Sequence, residues 1–194
     1  MLNPSYTSRP ATHEDARHLA RLVNLAGDGL AYYHWQTLAA GYGDDIDPWA
    51  IGIRRAASET SGFSYTKSLV AEKDGKVTGC VSSYVIDAPS TPQDHAGAPA
   101  IFRPLLELED MVVGSHYVNV LAVYPEHRGN GIGSRLLAQA EGLIEGATMS
   151  LVVSNANRDA RRLYERLGYR RHASRPKMKG DWDGPGEAWL LLVK

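Results

Sequence analysis

Residues Val118 to Leu137 read VNVLAVYPEHRGNGIGSRLL, and this stretch constrains the fold more than any other in the chain. An apolar run of strand length passes through a short turn into RGNGIG, and an amphipathic helical pattern follows. Glycines at 129, 131 and 133 let the backbone bend tightly and bring N–H groups close to a ligand, with no Cβ in the way. The helix that follows directs its unsatisfied N–H groups and the positive end of its dipole at the same spot. Arg128 adds a permanent cation with a planar fork of donors. The order strand, anion loop, helix predicts a diphosphate site.

Two familiar phosphate loops do not match. A dinucleotide loop needs G-x-G-x-x-G after the first strand of a βαβ unit, whereas here position 134 is Ser and the loop falls late in the chain. A P-loop needs G-x-x-x-x-G-K-[ST], and no lysine follows these glycines. What matches is R-x-x-G-x-G, Arg128 to Gly133, directly after the strand LAV and the residues Pro125 and Glu126.

Composition narrows the function classes. A chain of 194 residues with 43% hydrophobic and 22% charged residues is expected to be one globular domain, 1–194, with a sizeable core. A net charge of -1 argues against a dedicated nucleic-acid partner. Cys80 is the only cysteine, which excludes an intrachain disulfide and a cysteine-based zinc site, and no metal is expected. No apolar run approaches the roughly 18 residues that span a bilayer, so no membrane partner is expected. The start, MLNPSYTSRPATHEDA, lacks the layout of a secretion signal, and the cytoplasm is the expected compartment.

Along the chain, Ser5 to Arg9 reads as a first strand closed by Pro10. Thr12 stands before Glu14, Asp15 and the periodic run Ala16, Leu19, Ala20, Val23, a helix start. Residues 29–58 read as helix in pieces, broken around Gly41, Gly43 and Pro48. Between Ser68 and Ile86 two β-rich runs flank Asp74-Gly75, a hairpin signal. An irregular or helical insertion is expected around 87–115, with IFRPLLELEDMVV as its helical half. Strand 116–123, helix 131–145, strand 148–154 and helix 157–167 follow, and GEAWLLLVK is a final strand. In the first of these helices Ile132, Leu136, Leu137, Ala140, Leu143 and Ile144 share one face, and Gly146 and Gly168 stand at helix C-caps. The pattern predicts an α/β domain around a mixed sheet.

A second motif lies downstream. Asn155 to Tyr169, NANRDARRLYERLGY, contains N-x-x-A-x-x-L-Y followed by x-x-x-G-Y. Together with R-x-x-G-x-G at 128–133 and the early RPATHEDA, it resembles the GCN5-related N-acetyltransferases over nearly the whole chain. The resemblance implies the acyl-CoA N-acyltransferase fold: a mixed, mostly antiparallel central sheet with splayed central strands and flanking helices. It also implies acetyl-CoA, or coenzyme A after transfer, as co-substrate. On that basis Leu121, Ala122 and Val123 lie along the pantetheine arm, Leu121 and Val123 pairing with its amides. Arg128, Gly129, Asn130, Gly131, Gly133 and Ser134 hold the pyrophosphate, Asn157 meets the arm near the thioester, and Tyr164 places its hydroxyl near the sulfur. A homodimer is common among such proteins.

The implied reaction asks specific things of side chains. An amine attacks the acetyl carbonyl directly, in a ternary complex, and CoA leaves as thiolate. A phenol is neutral at pH 7 and can give a proton to departing sulfur, which suits Tyr164, although helical periodicity equally packs it beside Ala160, Leu163 and Leu167. Amines are mostly protonated at neutral pH, so a base is useful. Glu107 is the first candidate and Glu109 the second, with His116, Tyr117 and Asn119 also near, though either carboxylate also reads as a solvated helix residue. Cys80, in mid-strand with no histidine close in sequence, reads as a buried small side chain rather than a nucleophile. Nine basic residues between 158 and 179 read as a solvated face, or as attraction for the phosphates of CoA.

For the acceptor, the aromatic run Tyr32, Tyr33, His34 and Trp35 and the acidic residues Asp44, Asp45 and Asp47 suit a cationic amine, with Glu109 a further candidate contact. The same residues read equally as core aromatics and a polar turn. A small-molecule amine leads and a peptide or protein amine follows; a non-catalytic acyl-CoA-binding regulatory domain is the rival of another class.

Overall fold

The computed structural model describes residues 6–43, 46–144 and 146–194. In chain order the elements are β1 (Thr7–Pro10), α1 (Ala16–Ala26), α2 (Leu30–Tyr42), α3 (Pro48–Ala57), β2 (Ser68–Lys73), β3 (Lys76–Val85), α4 (Pro92–Gly97), α5 (Arg103–Glu109), β4 (His116–Val123), α6 (Ile132–Glu141), β5 (Met149–Ser154), α7 (Arg158–Arg166), β6 (Arg170–Pro176) and β7 (Ala188–Val193), with short 3-10 turns between several of them. The seven strands form one mixed sheet in the order β1-β2-β3-β4-β5-β7-β6. Antiparallel pairs join β1 to β2, β2 to β3, β5 to β7 and β7 to β6, while β4 and β5 run parallel.

The chain divides into two compact units, one of Met1–Ser83 with Asn119–Leu143 and one of Tyr84–Val118 with Ile144–Lys194. In the first, the helix start expected at Thr12 is present: the Asp15 carboxylate accepts from Thr12 N at 2.8 Å, and a 3-10 turn leads into α1. Asp47 caps α3 by accepting from Trp49 N at 3.0 Å, with Pro48 in the first turn where its missing N–H costs nothing. Leu19, Ala20, Leu22, Trp35, Ala56, Phe63, Val70, Cys80, Val120 and Ala122 are among the residues of its core. Gly52 makes that core possible, because a Cβ there would lie 2.4 Å from the Trp35 ring. The β2–β3 hairpin turns on Asp74 and Gly75, both at positive φ, as the D-G step predicts.

In the second unit, β5 and β7 bury Leu151, Val153, Leu190, Leu191 and Leu192. The segment 87–115 is more helical than the Pro/Gly/Ser content of its first half suggests. Thr91 and Asp94 build a capping box at the head of α4, and α5 follows after a 3-10 turn.

The largest difference in a boundary is at the end of α6. The pattern predicted helix to 145 with Leu143 and Ile144 on the buried face, but α6 ends at Glu141 and these two side chains are 60% and 38% exposed. Gly142 propagates a helix poorly, and beyond it Leu143 N tightens to a bond with Ala140 O. The strand expected to begin at Ser5 is observed from Thr7, and Ser5 lies outside the described residues. No helix among the described residues is long and apolar enough to cross a membrane.

Candidate functional site

The glycine loop belongs to the first unit and leaves the end of β4 through a 3-10 turn at Pro125–His127. Gly129 and Gly131 take φ of 78° and 75°, the left-handed region, and Gly131 is the N-cap of α6. Any L side chain at either position would strain the turn. The loop braces itself with side chains: Asn130 Nδ2 donates to His127 O at 3.0 Å and to Arg128 O at 3.1 Å, and Arg128 Nε donates to Val123 O at 3.1 Å. These bonds occupy carbonyls. The first helical N–H with an intrachain partner is that of Arg135, which donates to Gly131 O at 3.1 Å. The four N–H groups from Gly131 to Ser134 have no acceptor among the described residues. A helix start with free donors, an αL cap and an adjacent guanidinium is a cradle for an anion.

Near the start of β3, Thr78 O accepts from Tyr124 N at 2.9 Å, so by strand alternation Leu121 and Val123 turn their backbone groups the other way. Within the second unit β4 pairs in parallel with β5, His116–Val118 against Met149–Leu151. Val123 O is taken by Arg128. Ala122 is buried, and Leu121 and Val123 are half-buried.

Asn157 and Tyr164 belong to the second unit and to α7. Asn157 is the N-cap of that helix, its Oδ1 accepting from Ala160 N at 3.1 Å. Tyr164 is 7% exposed and its ring lies 5.8 Å from that of Tyr169, so both the packed and the chemical reading have a place for it. Burial pushes its phenol well above the ordinary tyrosine value, which keeps the proton on oxygen.

The two carboxylates of α5 differ sharply. Glu107 is exposed and held by Arg175 Nε at 2.6 Å. Glu109 is half-buried and is pushed up to about 7, mainly by burial, with Tyr117 opposing and Asp110 adding to the rise. Sequence reading put Glu107 first, and nothing along the chain distinguishes a carboxylate committed to arginine from one held in by burial. His116 is buried with Nδ1 unpartnered among the described residues, and Asn119 Nδ2 donates to Gly62 O at 2.9 Å.

The aromatic run on α2 divides. Trp35 is 1% exposed, in the core against Gly52, and is unavailable as an acceptor contact; a large apolar ring on the inner face of a helix pair packs before it does anything else. Tyr32 is half-buried with its ring 4.9 Å from that of Trp49, and Tyr33 is half-buried beside it. Of the acidic run, Asp47 is a helix cap and Asp44 and Asp45 lie outside the described residues. Cys80 is buried and its thiol is pushed up to about 12 by that burial, so it stays protonated. Several of the basic residues between 158 and 179 are engaged: Arg161 lies 3.9 Å from Glu165, Arg175 is bound to Glu107, and Lys179 lies 2.8 Å from Glu187. Lys177 Nζ stands 4.0 Å from the Trp189 ring and 5.0 Å from that of Trp182, a cage that no local sequence signal announces. Among the described residues no group of three or more His, Cys, Asp and Glu is placed to hold a metal ion.

Known proteins agree with this architecture. A family model described as Acetyltransferase (GNAT) family matches residues 30–169. A mosquito arylalkylamine N-acetyltransferase like 5b superposes with a TM-score of 0.66 at 19% identity, covering 98% of this chain and 99% of its own. An N-acetyltransferase from Staphylococcus aureus Mu50 gives 0.65 at 17% identity, covering 97% of this chain and 100% of its own. The PaiA N-acetyltransferase from Thermoplasma acidophilum, in complex with coenzyme A, gives 0.56 at 17% identity, with 98% of each chain covered. No curated protein matches the chain.

Proposed function

The chain belongs to the GNAT family of acetyltransferases, and from that membership we propose that it moves the acetyl group of acetyl-CoA onto the nitrogen of a small primary amine. The observation that carries the donor half is the set of four partnerless N–H groups from Gly131 to Ser134, beside Arg128. In this reading Arg128, Gly129, Asn130, Gly131, Gly133 and Ser134 hold the pyrophosphate, with donors fixed before the ligand arrives and little reorganisation on binding. Leu121, Ala122 and Val123 offer a strand edge to the amides of the pantetheine arm, as an added strand would use it. Asn157, with Oδ1 spent on its own helix, has Nδ2 left for the arm.

Acetyl-CoA supplies a thioester carbonyl and a thiolate leaving group. The part of Tyr164 is to keep a proton on a buried phenol and yield it to sulfur. Attack is direct: Cys80, buried and protonated, supports no acetyl-enzyme. For the acceptor, Tyr32 and Tyr33 are the remaining aromatic contacts, and aromatic faces suit a compact cation. The fold's likeness to a protein named as an arylalkylamine N-acetyltransferase supports the same choice.

Thiol release from acetyl-CoA, measured across phenylethylamine, aliphatic diamines and short peptides, tests the reading. Turnover with small amines is expected; turnover confined to peptides would overturn the acceptor assignment. Binding of CoA that survives Arg128→Ala together with Gly131→Ala would overturn the loop assignment.

A further inference from the structure

Within the second unit, the turn that joins β5 to α7, Ser154 to Asn157, is gripped by the loop 177–187 between β6 and β7. Asn155 makes the first grip. Its Oδ1 accepts from Glu187 N at 3.0 Å and from Ala188 N at 3.2 Å, and its N–H donates to Ala188 O at 2.9 Å. Gly186, at φ 79°, comes so close that a Cβ on it would lie 2.4 Å from Asn155 Oδ1 and 2.8 Å from Ala156 Cβ. Only glycine permits that approach.

Lys177 makes the second grip and brings a charge to it. Its Nζ donates to Ser154 Oγ at 2.8 Å and to Pro185 O at 2.6 Å, under the faces of Trp189 and Trp182. The two rings are buried and nearly parallel, at 9° with centroids 6.1 Å apart. Aromatic faces hold the ammonium while two oxygens take its protons, and bonds from a charged donor are the stronger kind. Ser154 relays the grip. Its Oγ also accepts from Ala156 N at 3.3 Å and donates to Pro185 O at 3.2 Å, which fills the one donor and two acceptor positions of a hydroxyl. Its backbone O accepts from Asn157 N at 3.0 Å, and Asn157 Oδ1 caps α7.

We propose that Lys177, caged by Trp182 and Trp189, is a positioning residue for the pantetheine arm of the donor, acting through Ser154 to fix Asn157 before the ligand arrives. The inference rests on the reading of the chain as an acetyl-CoA-dependent enzyme in which Asn157 meets that arm. Lys177 touches no reacting atom. Its part is to hold a short turn against a loop 20 to 30 positions later, so that the Asn157 Nδ2 left over from capping has one direction.

The charge is what this place requires. Methionine in place of Lys177 fills the space beside the rings but offers no proton to Ser154 Oγ or Pro185 O. The turn then keeps its Asn155 bonds and loses the other grip, so part of its order has to be restored when the arm binds. Ordering groups on binding costs affinity. The cost falls on ligands that carry the arm and spares those that carry only the phosphates.

Calorimetric titration of the intact protein tests this with coenzyme A and with adenosine 3′-phosphate 5′-diphosphate, which has the same phosphates and no arm. Lys177→Met is expected to raise the dissociation constant of coenzyme A by about 3- to 10-fold, the worth of one neutral hydrogen bond, and to leave that of the truncated ligand within about twofold. In an Asn157→Ser background the hydroxyl still caps α7 and the amide is gone, so Lys177→Met is expected to add nothing. Ser154→Ala removes the relay and leaves the cation; it is expected to give the same split between the ligands, and it carries the test if Lys177→Met does not fold. Equal loss for both ligands, loss for neither, or full additivity with Asn157→Ser overturns the proposal. A wild-type protein that does not bind coenzyme A refutes the acetyl-CoA reading instead. The Asn157 side-chain amide signal of the free protein, expected to move in Lys177→Met, then decides whether Lys177 orders Asn157.

Discussion

Replacing Gly131 by alanine tests the anion cradle at one atom. Gly131 holds φ 75° and ψ 5° as the N-cap of α6, and an L residue there costs about 1–2 kcal/mol. The chain can absorb that cost in two places. If the loop relaxes to negative φ, the N–H groups of 131–134 swing away and binding must pull them back. The dissociation constant for CoA then rises by about 5- to 30-fold, at 1.36 kcal/mol per factor of ten. If the two Asn130 bonds hold the loop in place, the strain stays in the fold. Tm then falls by about 2–8 °C, at roughly 2–4 °C per kcal/mol for a chain of this size. Calorimetric titration with CoA and thermal unfolding of the free protein read the two shares, which together recover the strain. Gly142→Ala is the control: φ is -76° and the nearest atom to a new Cβ is 3.5 Å away, so CoA affinity is expected to stay and Tm to hold or rise slightly, never to fall. A Gly131→Ala protein with wild-type affinity and wild-type Tm would refute the argument that the left-handed cap builds the site.

Other expectations follow from the same geometry. Tyr164→Phe lowers kcat by about 10²-fold with CoA affinity unchanged by calorimetry; an unchanged rate would assign the ring to packing against Tyr169 alone. The folded protein resists iodoacetamide at Cys80 at pH 7.5, and Cys80→Ala keeps its turnover, because burial holds the thiol protonated; inactivation that tracks alkylation of the folded chain would contradict this. Trp35→Ala costs about 3–5 kcal/mol in urea unfolding, the ordinary cost of emptying a large aromatic site. A loss below about 1 kcal/mol would show that the ring is not in the core.

The parts that the sequence made legible are those whose physics is local. A left-handed residue has to be glycine or nearly so, and Gly129 and Gly131 both take that conformation. The Asp74-Gly75 turn and the Asp15 capping bond close over a few residues, and their partners are visible within the same short window. Local signals also misled. The apolar pattern after Ile132 continued past Glu141, yet Gly142 ends the helix and leaves Leu143 and Ile144 outside, because periodicity records which face a residue would take if the helix went on. Trp35 belongs to the core for a reason 17 positions away, where Gly52 leaves room for its ring.

Glu107 and Glu109 separate the two kinds of information most clearly. They stand two residues apart on one short helix, with the same chemistry and nearly the same neighbours in sequence. The order of glycines and the N-x-x-A-x-x-L-Y stretch were enough to point to an acetyltransferase family, since each motif needs only residues close along the chain. Which glutamate is tied to an arginine 68 positions later, and which is withdrawn from water, depends on burial and on partners brought together by the fold. Proton affinity is set by that environment, and only the tertiary structure decides it.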